Sequence, residues 1–168
     1  LIDLTVSEDA PEALAELVLQ RAGCTKFVDE RFDDLERAAL LFEFAGQTHR
    51  ATEVLADAVE LPGSPDGIRH AYLGLLTRSK AWEELAAAVE EIPRAQRPSF
   101  ALRALAEHLE RSDRFDEAIE VVTTLVDVDP SAASEVLDVS LRRWTHDEGA
   151  DAKGRAARVA SLLARALE

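Results

Sequence analysis

Apolar side chains recur along most of this chain at spacings of three and four, the period of a helix with one buried face. Phe32, Leu35, Ala38, Ala39, Phe42 and Ala45 predict a helix over about 29–45 that Gly46 ends. Ala51, Val54, Leu55, Ala58 and Leu61 predict a second, stopped at Pro62-Gly63, where proline lacks the amide donor and glycine permits the turn. The same pairing follows twice more. A helix at 64–79 (Ile68, Tyr72, Leu73, Leu75, Leu76) precedes one at 80–92 (Trp82, Leu85, Val89, Ile92) closed by Pro93, and 99–111 (Leu102, Leu105, Ala106, Leu109) precedes 114–128 (Phe115, Ala118, Val122, Leu125) closed by Pro130.

The ends are less regular. LIDLTV alternates as a short strand or extended linker would, and 1–7 reads as a linker or tail. Ser7 and Asp9 are N-cap candidates and Pro11 suits a first turn. They open a helix over about 8–22 with a Leu14, Leu17, Val18 stripe ending at Gly23. Beyond Pro130, a helix over 131–145 (Val136, Leu137, Leu141, Trp144) leads through the polar HDEGADAKG to an Ala-rich, basic helix at 151–167. The expectation is an all-α chain of about nine helices.

One phrase occurs twice. LTRSKAWEEL from Leu76 and LERSDRFDEA from Leu109 agree in apolar, Arg-Ser, aromatic and acidic positions at an offset of 33 residues. A period of that size marks stacked helical repeats. The scheme is a capping helix and its connection at 8–31, three repeats at 32–65, 66–98 and 99–130, and a degenerate fourth repeat or capping hairpin at 131–168. A hairpin of two such helices buries one face internally and leaves another for the next hairpin to cover.

Residues 99–130 resemble the tetratricopeptide repeat family. Leu102, Leu105, Ala106 and Leu109 stand at the Trp, Leu, Gly and Tyr places of its first helix, and Phe115 at the aromatic of the turn. Ala118 and Leu125 stand at the small and apolar places of the second helix, and Pro130 at the closing proline. Residues 32–61 fit through Leu35, Ala38, Ala39, Phe42, Gly46, Ala51, Leu55 and Ala58, with Thr48 for the aromatic. The middle unit fits more loosely, and Leu85 and Leu125 are bulkier than the family's small residues, which calls for slight separation of the helices. The resemblance implies a TPR-like α-solenoid, a right-handed superhelical stack of antiparallel hairpins whose first helices line a concave wall that holds a peptide or partner domain.

On that wall the resemblance places Asp33, Glu36, Leu40, Glu43 and Phe44 of the first unit, His70, Gly74, Thr77 and Arg78 of the second, and Phe100, Arg103, Glu107 and Arg111 of the third. A bound segment with a basic or apolar part near Phe44 and an acidic part near Arg103 and Arg111 suits this order. The plain alternative is a set of solvated helix faces, with Glu107 and Arg111 simply paired four residues apart. Members that bind chaperone tails carry Lys and Asn clamps; the Asn residues are missing here, though Arg78, Arg103 and Arg111 are forked carboxylate donors.

Composition narrows the partners. With 33 acids against 19 bases, a net charge of −14, the chain lacks the cationic coat that nucleic acid requires. Ala and Leu dominate the 47% apolar content and aromatics are only 5%, as suits close-packed helices. Residues 1–62 hold 14 acids and 5 bases, whereas 141–168 hold 4 and 6, so one end favours basic partners. The acidity has a halophilic source as one explanation, and the scarcity of Lys beside Arg fits a GC-rich bacterial genome.

A lone Cys24 excludes an internal disulfide and a cysteine zinc site. The four histidines (His49, His70, His108, His146) share no helical metal spacing, and no phosphate loop or nucleophile motif occurs, so neither a cofactor nor catalysis is expected. With no apolar run of membrane length, the expected setting is cytoplasmic and non-membrane. The absence of Met points to a piece of a longer protein. The leading reading is therefore a non-enzymatic protein-interaction module with a protein or peptide partner, able to self-associate through exposed repeat ends. The alternative is a structural or regulatory appendage of a larger enzyme or transcription factor, packed on its own upstream domain.

Overall fold

In the computed structural model, residues Ala10–His146 together with 160 and 164 are described, and they are helical with short connections. Eight α-helices lie among them: α1 (Ala10–Cys24), α2 (Val28–Phe44), α3 (Thr48–Glu60), α4 (Asp66–Ser79), α5 (Trp82–Glu90), α6 (Ser99–Arg111), α7 (Phe115–Val128) and α8 (Ala133–His146). Short 3₁₀ turns at Arg94–Gln96 and Pro130–Ala132 precede α6 and α8. The expected tail at 1–7 and nearly all of the basic helix at 151–167 lie outside the described residues, as do the side chains of Val136 and Trp144.

The chain forms two units, 1–80 with α1 to α4 and 81–168 with α5 to α8. The boundary at Lys80 and Ala81 falls between the two helices expected to make the middle repeat. In the first unit α2 packs along both α1 and α3, and α4 closes on α3. Its core is built on Phe32, Leu35, Phe42, Val54, Leu55, Ile68 and Leu75, with Ala38, Ala39, Ala51 and Ala58 between them. These alanines let helix axes approach, which bulkier side chains at the crossing would prevent.

The second unit reuses that design at an offset of 67 residues. Leu35, Ala39, Phe42, Ala51, Leu55 and Ala58 correspond to Leu102, Ala106, Leu109, Ala118, Val122 and Leu125, every one of them buried. α7 packs on α6 and on α8. Leu85 and Leu125, the two bulky residues, are both fully buried.

Two stripes differ from expectation. In α1 the buried positions are Ala15 and Ala22, with Val18 and Leu19 partly covered, while Leu14 and Leu17 are exposed. At the flank of the buried face Arg21 donates through Nε to the buried Asp34 carboxylate of α2 at 2.7 Å and through a terminal nitrogen to the other oxygen. In α8, Val139 and Ser140 turn inward and Leu141 is exposed. α5 is also shorter than the expected 80–92: Lys80, with φ of 60°, ends α4, Ala81 caps α5, and Glu91 ends it before Pro93. Arg97 donates to the carbonyls of Ile92 at 3.0 Å and Glu90 at 3.3 Å, satisfying groups that the helix end leaves open.

Candidate interaction surfaces

α2 buries Phe32, Leu35, Ala38, Ala39 and Phe42, so at 100° per residue its opposite face carries Asp33, Leu40 and Phe44 in one line, with Glu36 beside them. Phe44 is 83% exposed and Leu40 55%. Asp33 and Glu36 have no ion-pair partner among the described residues.

Glu43 and Arg78 are brought together. The Arg78 guanidinium donates to both carboxylate oxygens at 2.8 Å, tying α2 to α4. Those hydrogen bonds hold the Glu43 carboxyl below its usual range against the opposing effect of burial, and raise Arg78 in turn. Gly74 keeps the way clear, since a Cβ there would meet the Arg78 guanidinium at 3.2 Å. Thr77 spends its hydroxyl on the Leu73 carbonyl at 2.8 Å, and His70 lies against the Asp66 carbonyl at 2.8 Å. Arg37 lies on the same side and pairs with Asp34 at 3.9 Å, so the charges here without an ion-pair partner among the described residues, Asp33 and Glu36, are acidic and sit beside the two apolar side chains.

In the second unit a groove of about 480 Å³ runs between α6 and α8, with Arg103, Glu107 and Arg111 on one side and Glu135, Asp138 and Arg142 on the other. Arg103 donates to Glu135 at 3.1 Å and to Asp129 at 2.9 Å. Arg142 binds both oxygens of Glu110 at 2.8 and 3.1 Å, and Arg111 pairs with Glu107 one turn away. Glu43 and Glu110 are 67 residues apart, and each takes a bidentate arginine from the helix two further on. Phe100 is 38% exposed at the start of α6. The basic residues expected to await an acidic ligand thus carry carboxylates of their own chain.

The other face of α6 holds a feature that periodicity did not disclose. Trp82 of α5 stacks on His108 of α6, ring centroids 4.5 Å apart and planes 13° from parallel. A cleft of about 650 Å³ opens beside the pair, between α5, α6 and α7. In sequence Trp82 counted as one of a helix stripe and His108 as a scattered histidine; nothing in their spacing links them.

Among the described residues no group of three or more His, Cys, Asp or Glu is placed to hold a metal ion, and no helix is long and apolar enough to cross a membrane. Cys24 is exposed at the end of α1.

Stacked helix hairpins of this kind define a TPR-like all-α fold. A solved structure described as MamA RS-1 ArsTM double mutant is similar, with a TM-score of 0.51 and 18% sequence identity over 94% of this chain and 85% of that one. At that identity the likeness is one of fold alone. No family model and no curated protein matches the chain.

Proposed function

We propose that the protein is a non-catalytic interaction module that binds a peptide segment or partner domain on the face formed by the first helices of its hairpins, arranged as repeats 32–65, 66–98 and 99–130. The observation that carries this reading is the line on α2. An isolated exposed leucine is ordinary, but Leu40 and Phe44 lie four residues apart on one stripe beside Asp33 and Glu36, which have no ion-pair partner among the described residues. That pattern fits an amphipathic partner helix with apolar residues toward Phe44 and a basic residue toward Asp33. In the unit 1–80 Glu43 and Arg78 are tied to each other, with His70 and Thr77 on the same helix as Arg78; in the unit 81–168 Arg103, Glu107 and Arg111 of α6 carry pairs of their own, and Phe100 stands at the start of that helix.

The test uses a labelled amphipathic 14-residue Leu/Lys peptide in fluorescence anisotropy. Leu40→Ser with Phe44→Ser is expected to weaken binding about tenfold, and Glu12→Gln, a carboxylate lost on α1, to leave it within twofold. Equal binding by the double variant and the parent would place the site elsewhere. The appendage reading has its own support in Leu14 and Leu17 along α1 and in Phe27 and Val28 at its connection to α2, all exposed. On that reading they are covered by another domain of the same protein, and Leu14→Ser with Leu17→Ser would release it.

A further inference from the structure

The cleft between α5, α6 and α7 lies on the side of α6 opposite the α6–α8 groove: Leu102, Leu105 and Leu109 face the cleft, and Arg103, Glu107 and Arg111 the groove. It has an apolar floor, an aromatic shelf made by Trp82 on His108, and a rim of carboxylates. Glu83, Glu90, Glu117 and Glu120 line it, against two cations, Arg97 and Arg114. Both cations are already committed. Arg114 donates to both oxygens of Glu117, at 2.7 and 2.5 Å, and Arg97 to the backbone carbonyls that end α5.

That balance selects the ligand. An anion would meet a net negative rim, and a purely apolar side chain would desolvate the carboxylates without compensation. A guanidinium satisfies both features, because it stacks flat on an aromatic ring and presents its edge donors to carboxylates. A cleft of about 650 Å³ admits a short extended segment with one such side chain. We propose that this cleft is a docking site for an arginine-bearing segment of a partner protein, with one guanidinium over the Trp82–His108 shelf and Glu83 as its carboxylate partner. α5 forms one wall of the cleft, from Trp82 at its start to Glu90 at its end.

Trp144→Phe leaves Trp82 as the sole tryptophan and a direct reporter. The probe is the peptide acetyl-Gly-Arg-Gly-Arg-Gly-amide, with the Glu-for-Arg peptide as comparator at the same ionic strength. The expected result is a saturable change in Trp82 fluorescence with the Arg peptide, and binding at least tenfold weaker with the Glu peptide. Glu83→Gln is expected to weaken Arg-peptide binding about fivefold, with circular dichroism confirming an intact fold. Glu12→Gln, and Leu40→Ser with Phe44→Ser, are expected to stay within twofold. The proposal is overturned by the lack of a saturable response. It is equally overturned if Glu12→Gln costs as much as Glu83→Gln, which would mean general attraction to an acidic chain, or if the α2 substitutions abolish binding, which would move the site to that helix.

Discussion

Three single residues set the turns that the repeat pattern requires. Gly46, Lys80 and Asp113 have φ of 77°, 60° and 58°, at spacings of 34 and 33 residues. At the first and third, the residue after the turn donates back five positions, Gln47 to the Phe42 carbonyl at 2.8 Å and Arg114 to that of Leu109 at 2.9 Å, as left-handed C-caps do. Gly46 was legible as a stop because glycine advertises this backbone. Lys80 and Asp113 carry no such sign, and only their register with Gly46 gives them away. An L side chain in this region costs about 1 kcal/mol. Lys80→Gly is therefore expected to stabilise the protein by about 1 kcal/mol, and Gly46→Ala to destabilise it by about the same. A Cβ at Gly46 meets nothing within 4 Å, so that loss is one of backbone strain alone. Urea midpoints at unchanged slope measure both, and a lower midpoint for Lys80→Gly would deny that its φ carries the cost.

At the scale of helices, legibility followed how sharply a stripe contrasts with its flanks. α6 stands at Ser99–Arg111 as its periodicity indicates, because Leu102, Leu105, Ala106 and Leu109 are its apolar residues apart from Phe100, Ala101 and Ala104. α1 offered Leu14, Leu17, Val18 and Leu19 around more than half its circumference, too wide a stripe to say which side is buried. With Ala15 and Ala22 turned inward, Arg21 at the flank of that face reaches Asp34, a contact 13 residues away that no local pattern encodes. The equivalence of the two units sharpens a test of hairpin packing. Ala51 and Ala118 are both fully buried, 67 residues apart, each in the second helix of a close pair. Tryptophan at either position forces the helices apart, and a loss of about 3 kcal/mol is expected for each variant separately. Calorimetry or thermal circular dichroism reads the change, and a melting temperature no lower than the parent's for either would contradict the crossing described for that unit.

For the molecule as a whole, the surplus of acids conceals how the bases are used. Arg21, Arg50, Arg78, Arg94, Arg103, Arg111, Arg114 and Arg142 all lie in ion pairs, so much of the positive charge is spent within the fold. Charge counting in sequence could place an arginine on an inner face but not foresee its partner 32 or 35 residues away. This wiring sets the response to pH. Asp34 is held below the ordinary carboxylate range by the Arg21 hydrogen bond, Glu43 by that of Arg78, Glu117 by that of Arg114, and Asp129 by those of Ser131 and then Arg103. A carboxyl with a lowered folded pKa contributes stability that is present above its unfolded value, about 4, and is lost as the pH falls through the folded one. The melting temperature is therefore expected to be nearly flat from about pH 8 to 5.5 and to fall steadily below about 4.5. The chain's own neutral point, near pH 4.7, falls at the top of that decline, so aggregation on heating should be greatest there and relent at lower pH as positive charge accumulates. Thermal melts between pH 8 and 3 test this, with Glu43→Gln as the internal check. That variant removes one of the proton-linked pairs, so its acid slope must be shallower than the parent's, and an identical slope would mean that the Glu43–Arg78 tie between α2 and α4 contributes nothing to the folded state.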